Sequence, residues 1–274
     1  MTIYRPPKRH YRHQVGWTGP PRAFDAVLND LMRLTPPNVG FVQRVLHIPD
    51  FGYSVAERAR HFPLIEEAVL CLAECGADVV VQTGCNWVHC AGHSLADIRR
   101  YRSRIENQYA IRFHLEGLCL IDAMRALGAT NIAVNAGYNN RTWLDGYLRI
   151  LAEDGLNVVC AQNFVEQGLF ASEAEMTEQG FIFSEALARE SMGRIRSAAP
   201  EADAILVMGM PSWETKFGTT VRTHSLIEGL ESAVDKPIVS GDIALYWATL
   251  QSLRIAPTGL GGCLLERLRL AGSV

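Results

Sequence analysis

The sequence predicts an α/β protein of two similar parallel-sheet halves related by a pseudo-twofold axis, with an active site in the cleft between them. Short apolar segments alternate with helix-type patterns along most of the 274 residues. Two apolar segments, at 77–87 and 202–213, resemble each other. Each opens with an Ala-Asp pair and reaches a glycine six residues after the aspartate. This pattern is typical of a buried parallel strand that ends in a tight turn.

The remaining elements are predicted in chain order. Strands are expected at 39–48, at both repeated segments, and at 132–135, 158–160 and 237–240. A capping box at Ser54–Glu57 marks a helix start, and further helices are expected at 63–75, 111–128, 144–153, 181–199, 225–234 and 243–253. The predicted division is an amino-terminal extension at 1–38, a first half at 39–128 plus 237–274, and a second half at 129–236.

The composition is that of an ordinary globular chain, with 48% hydrophobic and 20% charged residues. A net charge of -3 provides no general attraction to nucleic acid or to anionic membranes. Basic residues among the first thirteen predict a solvated extension or a strap across a neighbouring subunit of a homo-oligomer, rather than a nucleic-acid-binding arm. Because no signal-peptide pattern and no apolar stretch of about twenty residues is present, we expect a cytoplasmic protein.

Cys85 is the candidate catalytic residue, because it follows Gly84 at the end of the first repeated strand. A thiolate at such a strand end is stabilised by unpaired backbone N–H groups, so it serves as nucleophile, base or proton donor. The alternative is a small apolar filler of the core. The seven cysteines are an odd number scattered along the chain, which favours reduced thiols over a disulfide framework.

The cluster of Cys85, His89, Cys90 and His93 has the residue types of a zinc site. On one helix, however, Cys90 points away from the other three, and no second Cys/His pair completes the set. We therefore expect no metal, and we expect His89 and His93 to be solvated or hydrogen-bonded, with orientation of a substrate carboxylate as the alternative. No glycine-rich phosphate loop opens a helix, so no nucleotide cofactor is implied.

Tyr138 follows another predicted strand, with Asn139 and Asn140 beside it. A phenol and amides at a strand end are suited to binding a carboxylate or a developing oxyanion. The alternative is a helix-capping loop with Asn140 as the cap. Asp50, after Pro49, and Asp242 also lie at predicted loop ends facing the cleft, and for Asp242 we favour a capping role.

Over about 39–255 the chain resembles the aspartate/glutamate racemase superfamily, within it the maleate isomerase and arylmalonate decarboxylase branch. The resemblance is carried by 76–84, 126–134, Tyr138, 202–207 and 236–240 with Trp247. It implies two α/β halves, no metal or organic cofactor, and a small carboxylate substrate that passes through a carbanion or enediolate. The usual thiol positions at the ends of the repeated strands are held here by Gly84 and Gly209, with Cys85 one residue later.

The resemblance also implies an oxyanion pocket and a reaction class. We expect Cys85 and Tyr138 to be catalytic, and we expect substrate-binding residues at Pro49, Asp50, Gly84, Asn86, Asn140, Gly209 and Met210. The favoured activity is decarboxylation of the arylmalonate type with proton transfer by Cys85. The alternatives are maleate-type cis-trans isomerisation with Cys85 as nucleophile, and a catalytically silent member that binds a carboxylate.

Overall fold

The computed structural model describes residues 8–19, 27–90, 94–259 and 261–271, apart from the side chain of Cys90. The strands are β1 His13–Gly19, β2 Val39–Val45, β3 Val79–Gln82, β4 Arg112–Leu115, β5 Asn131–Gly137, β6 Asn157–Asn163, β7 Ile182–Ser184, β8 Ala204–Val207, β9 Ser212–Glu214, β10 Thr220–Arg222 and β11 Ile238–Ser240. The α-helices are α1 Val27–Arg33, α2 Val55–His61, α3 Pro63–Glu74, α4 Asn86–Cys90, α5 Leu95–Tyr109, α6 Glu116–Leu127, α7 Arg141–Asp154, α8 Glu173–Glu178, α9 Glu185–Ala198, α10 Ile227–Val234, α11 Gly241–Leu253 and α12 Gly262–Ala271.

Two four-stranded parallel sheets organise the chain, with strand orders β2-β1-β3-β4 and β11-β8-β5-β6. Counted along the chain, the strands of the first sheet have the order second, first, third, fourth. The second sheet has the same order when it is read from β6 to β11. The two repeated segments form the third strand of their sheets, β3 and β8. The predicted fold class, two similar parallel α/β halves, is therefore confirmed.

The repeated Ala-Asp pair has the same role in both halves. Asp78 lies just before β3, and its carboxylate accepts the Gln14 N–H of the adjacent strand β1 at 2.9 Å. Asp203 lies just before β8, and its carboxylate accepts the Asn131 N–H of the adjacent strand β5 at 2.8 Å. Each aspartate thus fixes the start of the neighbouring central strand, which explains why this residue recurs at the same place in the repeat.

Strand β1 shows that the prediction of an extension over 1–38 is wrong for residues 13–19, and α1 also forms within that range. The strand lies between β2 and β3 inside the first sheet. Its sequence lacks the continuous apolar run of a buried parallel strand. Packing explains why a glycine interrupts the apolar residues of this strand. A Cβ added at Gly16 would lie 2.8 Å from Leu72 Cβ of α3.

Two predicted helices begin instead with short strands. The pattern at 111–128 divides into β4 and α6, and the pattern at 181–199 divides into β7 and α9. Strands of three or four residues carry too few alternations for periodicity to distinguish them from a helix turn. Other local signals are confirmed: Ser54 and Glu57 form the predicted capping box, and α7 ends at Gly155 with φ 86°.

Strand β11 pairs with β8, so it belongs to the second sheet, although the sequence analysis assigns 237–274 to the first half. The helix that follows it, α11, contacts α6, β3 and β4 of the first half. The chain therefore crosses between the halves at Ser240 and Gly241. A small sheet of order β10-β9-β7 is added to the second half. In the described part of the chain, no helix has the length and apolar character needed to cross a membrane.

Candidate functional site

The carboxyl ends of the repeated strands form matching turns. Gly84 and Cys85 follow β3 closely, and Gly209 and Met210 follow β8. Gly84 has φ 98° and Gly209 has φ 83°, in the left-handed region that favours glycine. In open α/β sheets, ligands bind at this edge, beyond the carboxyl ends of the strands.

Cys85 is buried, with 1% of its surface exposed. It directly precedes the short helix α4, and its carbonyl accepts the Val88 N–H at 3.1 Å. Its sulfur lies 3.8 Å from Asn86 Oδ1, an amide oxygen that accepts a thiol hydrogen bond. The thiol is therefore packed within the interior of the molecule and has a polar neighbour there.

Glu116 is a buried carboxylate beside the Cys85 turn, and the sequence analysis did not identify it. It is the first residue of α6, its exposure is 0%, and its Oε2 accepts the Gly84 N–H. The backbone amide next to Cys85 is therefore already bonded to an anion supplied by the chain itself. The sequence signal is weak, because the predicted helix at 111–128 contains other charged residues such as Asp122 and Arg125.

An amide pair connects the two halves at the site. Asn86 Nδ2, after β3, donates to Asn139 Oδ1, after β5, at 3.3 Å. The side-chain nitrogen of Asn139, Nδ2, donates in turn to the carbonyls of Ala136 at 2.6 Å and Met208 at 2.9 Å. Asn139 thus joins the ends of β3, β5 and β8, and its 0% exposure makes these hydrogen bonds fully buried.

Tyr138 lies over the second turn. Its hydroxyl oxygen accepts the Met210 N–H at 3.3 Å. A Cβ added at Gly209 would lie 2.7 Å from this oxygen, so the close approach of the phenol requires glycine there. The Met210 amide, predicted to bind an oxyanion directly, is engaged by Tyr138, and the phenol O–H is a donor at this turn.

Burial raises the pKa of Tyr138 above its usual range, and the negative charges of the Cys85 thiolate and the Glu116 carboxylate act in the same direction. The phenol is therefore neutral and retains its proton at physiological pH. Cys85 and Glu116 therefore each lie within electrostatic reach of Tyr138.

A buried arginine completes the second turn. Arg222 is 8% exposed and donates to the Met210 carbonyl. The nearby Asp242 accepts the His224 N–H at 2.9 Å and the Ser240 hydroxyl. Asp242 therefore binds an amino-terminal N–H of the 3-10 helix Thr223–Leu226.

The other predicted substrate-binding residues have different surroundings. Asn140 caps α7, since its Oδ1 accepts the Trp143 N–H at 2.9 Å. This is the capping alternative considered in the sequence analysis. Pro49 and Asp50 are exposed at the start of the loop between β2 and α2.

Aromatic rings from the same loop approach the site more closely. Phe51 stacks on Trp87 of α4 with ring centroids 6.1 Å apart. Tyr53 contacts Phe181 edge-to-face at 5.7 Å, and Phe181 contacts Tyr138 in the same manner at 5.0 Å. These rings form a continuous apolar cover from α4 to Tyr138.

His89 is buried, contrary to the expectation of a solvated or hydrogen-bonded side chain. It is 6% exposed, and neither ring nitrogen has a hydrogen-bond partner among the described residues. Burial lowers the pKa of His89 to about 4, and the charges of Arg58 and Arg149 act in the same direction. The ring packs against Gly146, where an added Cβ would lie 2.6 Å from Nε2.

His93 and the side chain of Cys90, two further members of the Cys/His cluster considered for zinc, lie outside the described residues. Within the described ranges, no group of three or more His, Cys, Asp or Glu side chains is arranged to hold a metal ion. Six of the cysteines are described, and all six are free thiols.

Two surface cavities occur in the described part of the chain: one of about 620 Å³ is lined by residues that include Glu231 and Cys263, and another is lined by residues that include Gln167 and Arg194. Neither is lined by Cys85 or Tyr138.

No protein-family model matches the chain, and no curated protein matches it significantly. Solved structures share its fold. An arylmalonate decarboxylase aligns with TM-score 0.67 and 20% identity, covering 92% of this chain and 99% of that one. The maleate isomerase Iso from Pseudomonas putida S16 aligns with TM-score 0.70 and 20% identity, covering 93% and 99%.

A maleate cis-trans isomerase from Nocardia farcinica aligns with TM-score 0.71 and 21% identity, covering 93% of this chain and 98% of that one. That structure is a Cys-to-Ser mutant with a covalently bound succinylcysteine intermediate. The resemblance inferred from the sequence is confirmed at the level of the fold. The structural neighbours are enzymes, a decarboxylase and isomerases.

Proposed function

We propose that the protein is a cofactor-independent lyase or isomerase that acts on a small carboxylate through an enediolate intermediate, with decarboxylation as the favoured reaction. The observation that carries the proposal is the placement of a buried thiol, Cys85, and a neutral phenol, Tyr138, at strand ends joined by the Asn86–Asn139 hydrogen bond. The fold shared with decarboxylase and isomerase structures supports the same reaction class.

In this mechanism the bond between the α-carbon and one carboxylate breaks, carbon dioxide leaves, and the electron pair remains as an enediolate. The Tyr138 O–H donates to the developing negative oxygen, and its hydroxyl oxygen is held by the Met210 N–H at 3.3 Å. Removing such a preorganised donor typically costs about 10²–10³-fold in rate. The Cys85 thiol then gives its proton to the α-carbon, and the resulting thiolate recovers a proton from solvent.

Burial serves this chemistry, because an enediolate is protonated by water unless water is excluded. Cys85 is 1% exposed, and the rings of Phe51, Tyr53 and Phe181 extend from α4 to Tyr138 beside it. We propose that the loop carrying Phe51 and Tyr53 moves to admit the substrate and closes before proton transfer. Tyr53 has φ 62°, a backbone conformation that costs energy for a non-glycine residue and favours an alternative loop conformation.

Cis-trans isomerisation is the second candidate, and the succinylcysteine in the Nocardia farcinica structure favours it. Here the Cys85 thiolate would form a C–S bond to one carbon of an activated double bond, and the electron pair would move to the adjacent carboxylate as an enediolate. Rotation about the carbon–carbon bond and cleavage of the C–S bond would release the trans acid and restore the thiolate.

The test is a panel of malonates, including phenylmalonate, with maleate and amino or hydroxy diacids, each followed by product analysis and by thermal unfolding. Release of carbon dioxide identifies the decarboxylase, and conversion of maleate to fumarate identifies the isomerase. Thermal stabilisation without product identifies a carboxylate-binding protein that lacks catalysis. Absence of both product and stabilisation across the panel would overturn the proposal.

A further inference from the structure

Three buried side chains of the second half form a closed ring of hydrogen bonds. Asn135 Nδ2 donates to Ser191 Oγ at 2.7 Å, the Ser191 hydroxyl donates to Gln167 Oε1 at 2.7 Å, and Gln167 Nε2 donates to Asn135 Oδ1 at 3.1 Å. Their exposures are 1%, 0% and 6% in the order Asn135, Ser191, Gln167. The ring therefore joins β5, α9 and the segment after β6 inside the core.

Two backbone groups fix the direction of this ring. The Gly137 N–H donates to Asn135 Oδ1 at 3.0 Å, and Gln167 Nε2 also donates to the Gln162 carbonyl at 3.2 Å. If either side-chain amide turned over, a donor would face a donor or an acceptor would face an acceptor. Each amide of the ring thus has one favourable orientation, in which the Asn135 oxygen faces Gly137.

The ring acts on the backbone just before Tyr138. The pairing of β5 with β6 shifts its register between Asn135 and Gly137, and at this irregular place the Asn135 side chain holds the Gly137 N–H. Gly137 has φ 56°, and Tyr138 follows it. On the other side of Tyr138, the Asn139 N–H donates to the Ala136 carbonyl at 2.9 Å. Tyr138 is therefore held between two hydrogen bonds, one of which depends on the ring.

The corresponding strand of the first half differs. The Asn135 carbonyl accepts the Met208 N–H at 2.9 Å, and the Thr18 carbonyl accepts the Thr83 N–H at 3.1 Å, so Thr18 is the counterpart of Asn135. The Thr18 side chain is buried, and its hydroxyl has no hydrogen-bond partner in the described part of the chain. The fold shared by the two halves therefore does not by itself require the ring, which occurs on the strand that leads to Tyr138.

We infer that Asn135, Ser191 and Gln167 are positioning residues, which hold the Tyr138 hydroxyl at the place where the enediolate oxygen forms. This inference rests on the proposed function and adds to it a set of residues that act through the backbone at Gly137. A catalytic group must be held closely in place, because a misplacement of about 1 Å costs about 10²-fold in rate.

The variant Ser191→Ala opens the ring from α9 and leaves the sequence around Tyr138 unchanged. Gln167 Oε1 then loses its donor, and Asn135 Nδ2 keeps only the Met192 Sδ contact at 3.5 Å. The Asn135 amide is no longer held with its oxygen toward Gly137, so the turn before Tyr138 loses its fixed position.

A second variant, Gln167→Met, opens the ring at another member with a side chain of similar length. It decides the question if Ser191→Ala does not fold. Tyr147→Phe is the control for both, because it removes a different buried hydroxyl, which donates to the Gly117 carbonyl at 2.8 Å. Urea unfolding of all three variants reports how much stability each substitution removes.

The position of the phenol is measured without substrate, by NMR of protein labelled with carbon-13 at tyrosine Cζ. The chain has eight tyrosines, and Tyr138→Phe identifies the resonance of Tyr138. We expect Ser191→Ala and Gln167→Met to shift or broaden this resonance, and we expect Tyr147→Phe to leave it in place.

Kinetics on the acid identified by the panel provide the second measurement. Ser191→Ala and Gln167→Met should lower kcat by about 10- to 10²-fold and change KM by less than about twofold, the pattern of a contact made only in the transition state. Tyr147→Phe should retain kcat.

An unchanged Tyr138 resonance in both ring variants would overturn the inference and leave the proposed function intact, and so would a kcat equal to that of the wild type. A loss of stability with neither change would show that the ring is merely structural, which also overturns the inference. A wild type that turns over no acid overturns the proposed function, and the resonance alone then decides whether the ring holds Tyr138.

Discussion

The side chain of Asn86 donates a hydrogen bond to Asn139 at 3.3 Å and thereby joins the turn that carries Cys85 to the turn that carries Tyr138. The pair crosses from one half of the molecule to the other. The Asn139 side chain also donates to the carbonyl of Ala136, near the end of β5, and to that of Met208, after β8. A single buried side-chain amide therefore sets the relative position of the two proposed catalytic residues.

Replacing Asn139 with alanine should therefore destabilise the protein strongly. Loss of a partner for a buried polar group costs about 1–3 kcal/mol, and this substitution removes the side-chain hydrogen bonds of Asn139 to Asn86 and to the Met208 carbonyl. The Ala136 carbonyl keeps the Asn139 backbone N–H at 2.9 Å. Asn157→Ala is the control, because Asn157 donates to Asn131 at 2.8 Å in an exposed amide pair. Urea unfolding measures both; similar losses in the two variants would contradict the structural role of Asn139.

Tyr138→Phe should reduce turnover of the acid identified by the panel by about 10²–10³-fold, because it removes the donor to the enediolate oxygen. Tyr147→Phe removes another buried hydroxyl, which donates to the Gly117 carbonyl at 2.8 Å. This control should lose about 1–3 kcal/mol of stability and retain turnover. Comparable turnover losses in the two variants would indicate that Tyr138 acts only in packing.

Gly209→Ala tests the close approach of Tyr138 to the second turn. Gly209 and Gly180 both have positive φ, 83° and 68°, so alanine strains the backbone at both positions. Only at Gly209 does the new methyl group meet another atom, Tyr138 Oη at 2.7 Å. We expect Gly209→Ala to lose about 1–3 kcal/mol more than Gly180→Ala in urea unfolding, and equal losses would refute this steric account.

His89 should make the stability of the protein depend on pH. Its pKa is lowered from 6.5 to about 4 in the folded state, so between these values the unfolded chain binds the proton and the folded chain does not. Stability contributed by the neutral ring is therefore lost as pH falls through this window. From about pH 7 to about pH 5 the loss is about 2 kcal/mol.

The test measures the free energy of unfolding at about pH 7 and about pH 5 for the wild type, for His89→Leu and for His47→Leu. His47 is exposed, so the last variant is the control. The pH-dependent loss should be smaller in His89→Leu only. A loss of unchanged size in His89→Leu would show that the ring is protonated in the folded state.

Much of the fold is predictable because its signals are local. The repeat at Asp78 and Asp203 recurs since each carboxylate fixes a neighbouring strand, and the positive φ of Gly155 ends a helix as glycine commonly does. Strand β1 is not predictable in this way. Its Gly16 is required by contact with α3, and a pairwise tertiary contact leaves no periodic signal in the sequence.

The same distinction applies to the site. Cys85 and Tyr138 are identified by their position after strands, which the sequence encodes directly. Glu116 and Asn139 are brought to the site by the tertiary fold, through hydrogen bonds to residues at least thirty positions away. Asp50 is assigned from the sequence because it follows Pro49 at a predicted loop end, and the strand before it, β2, lies at the edge of its sheet.

The central claim is that the Cys85 thiol transfers the proton at the α-carbon, and turnover by Cys85→Ser tests it most directly. Cys119→Ser is the control, because Cys119 is another buried thiol, 2% exposed, within α6. The account predicts that Cys85→Ser loses about 10²-fold or more of turnover while ligand-induced thermal stabilisation persists, and that Cys119→Ser retains turnover. Turnover by Cys85→Ser equal to that of the wild type would contradict the account.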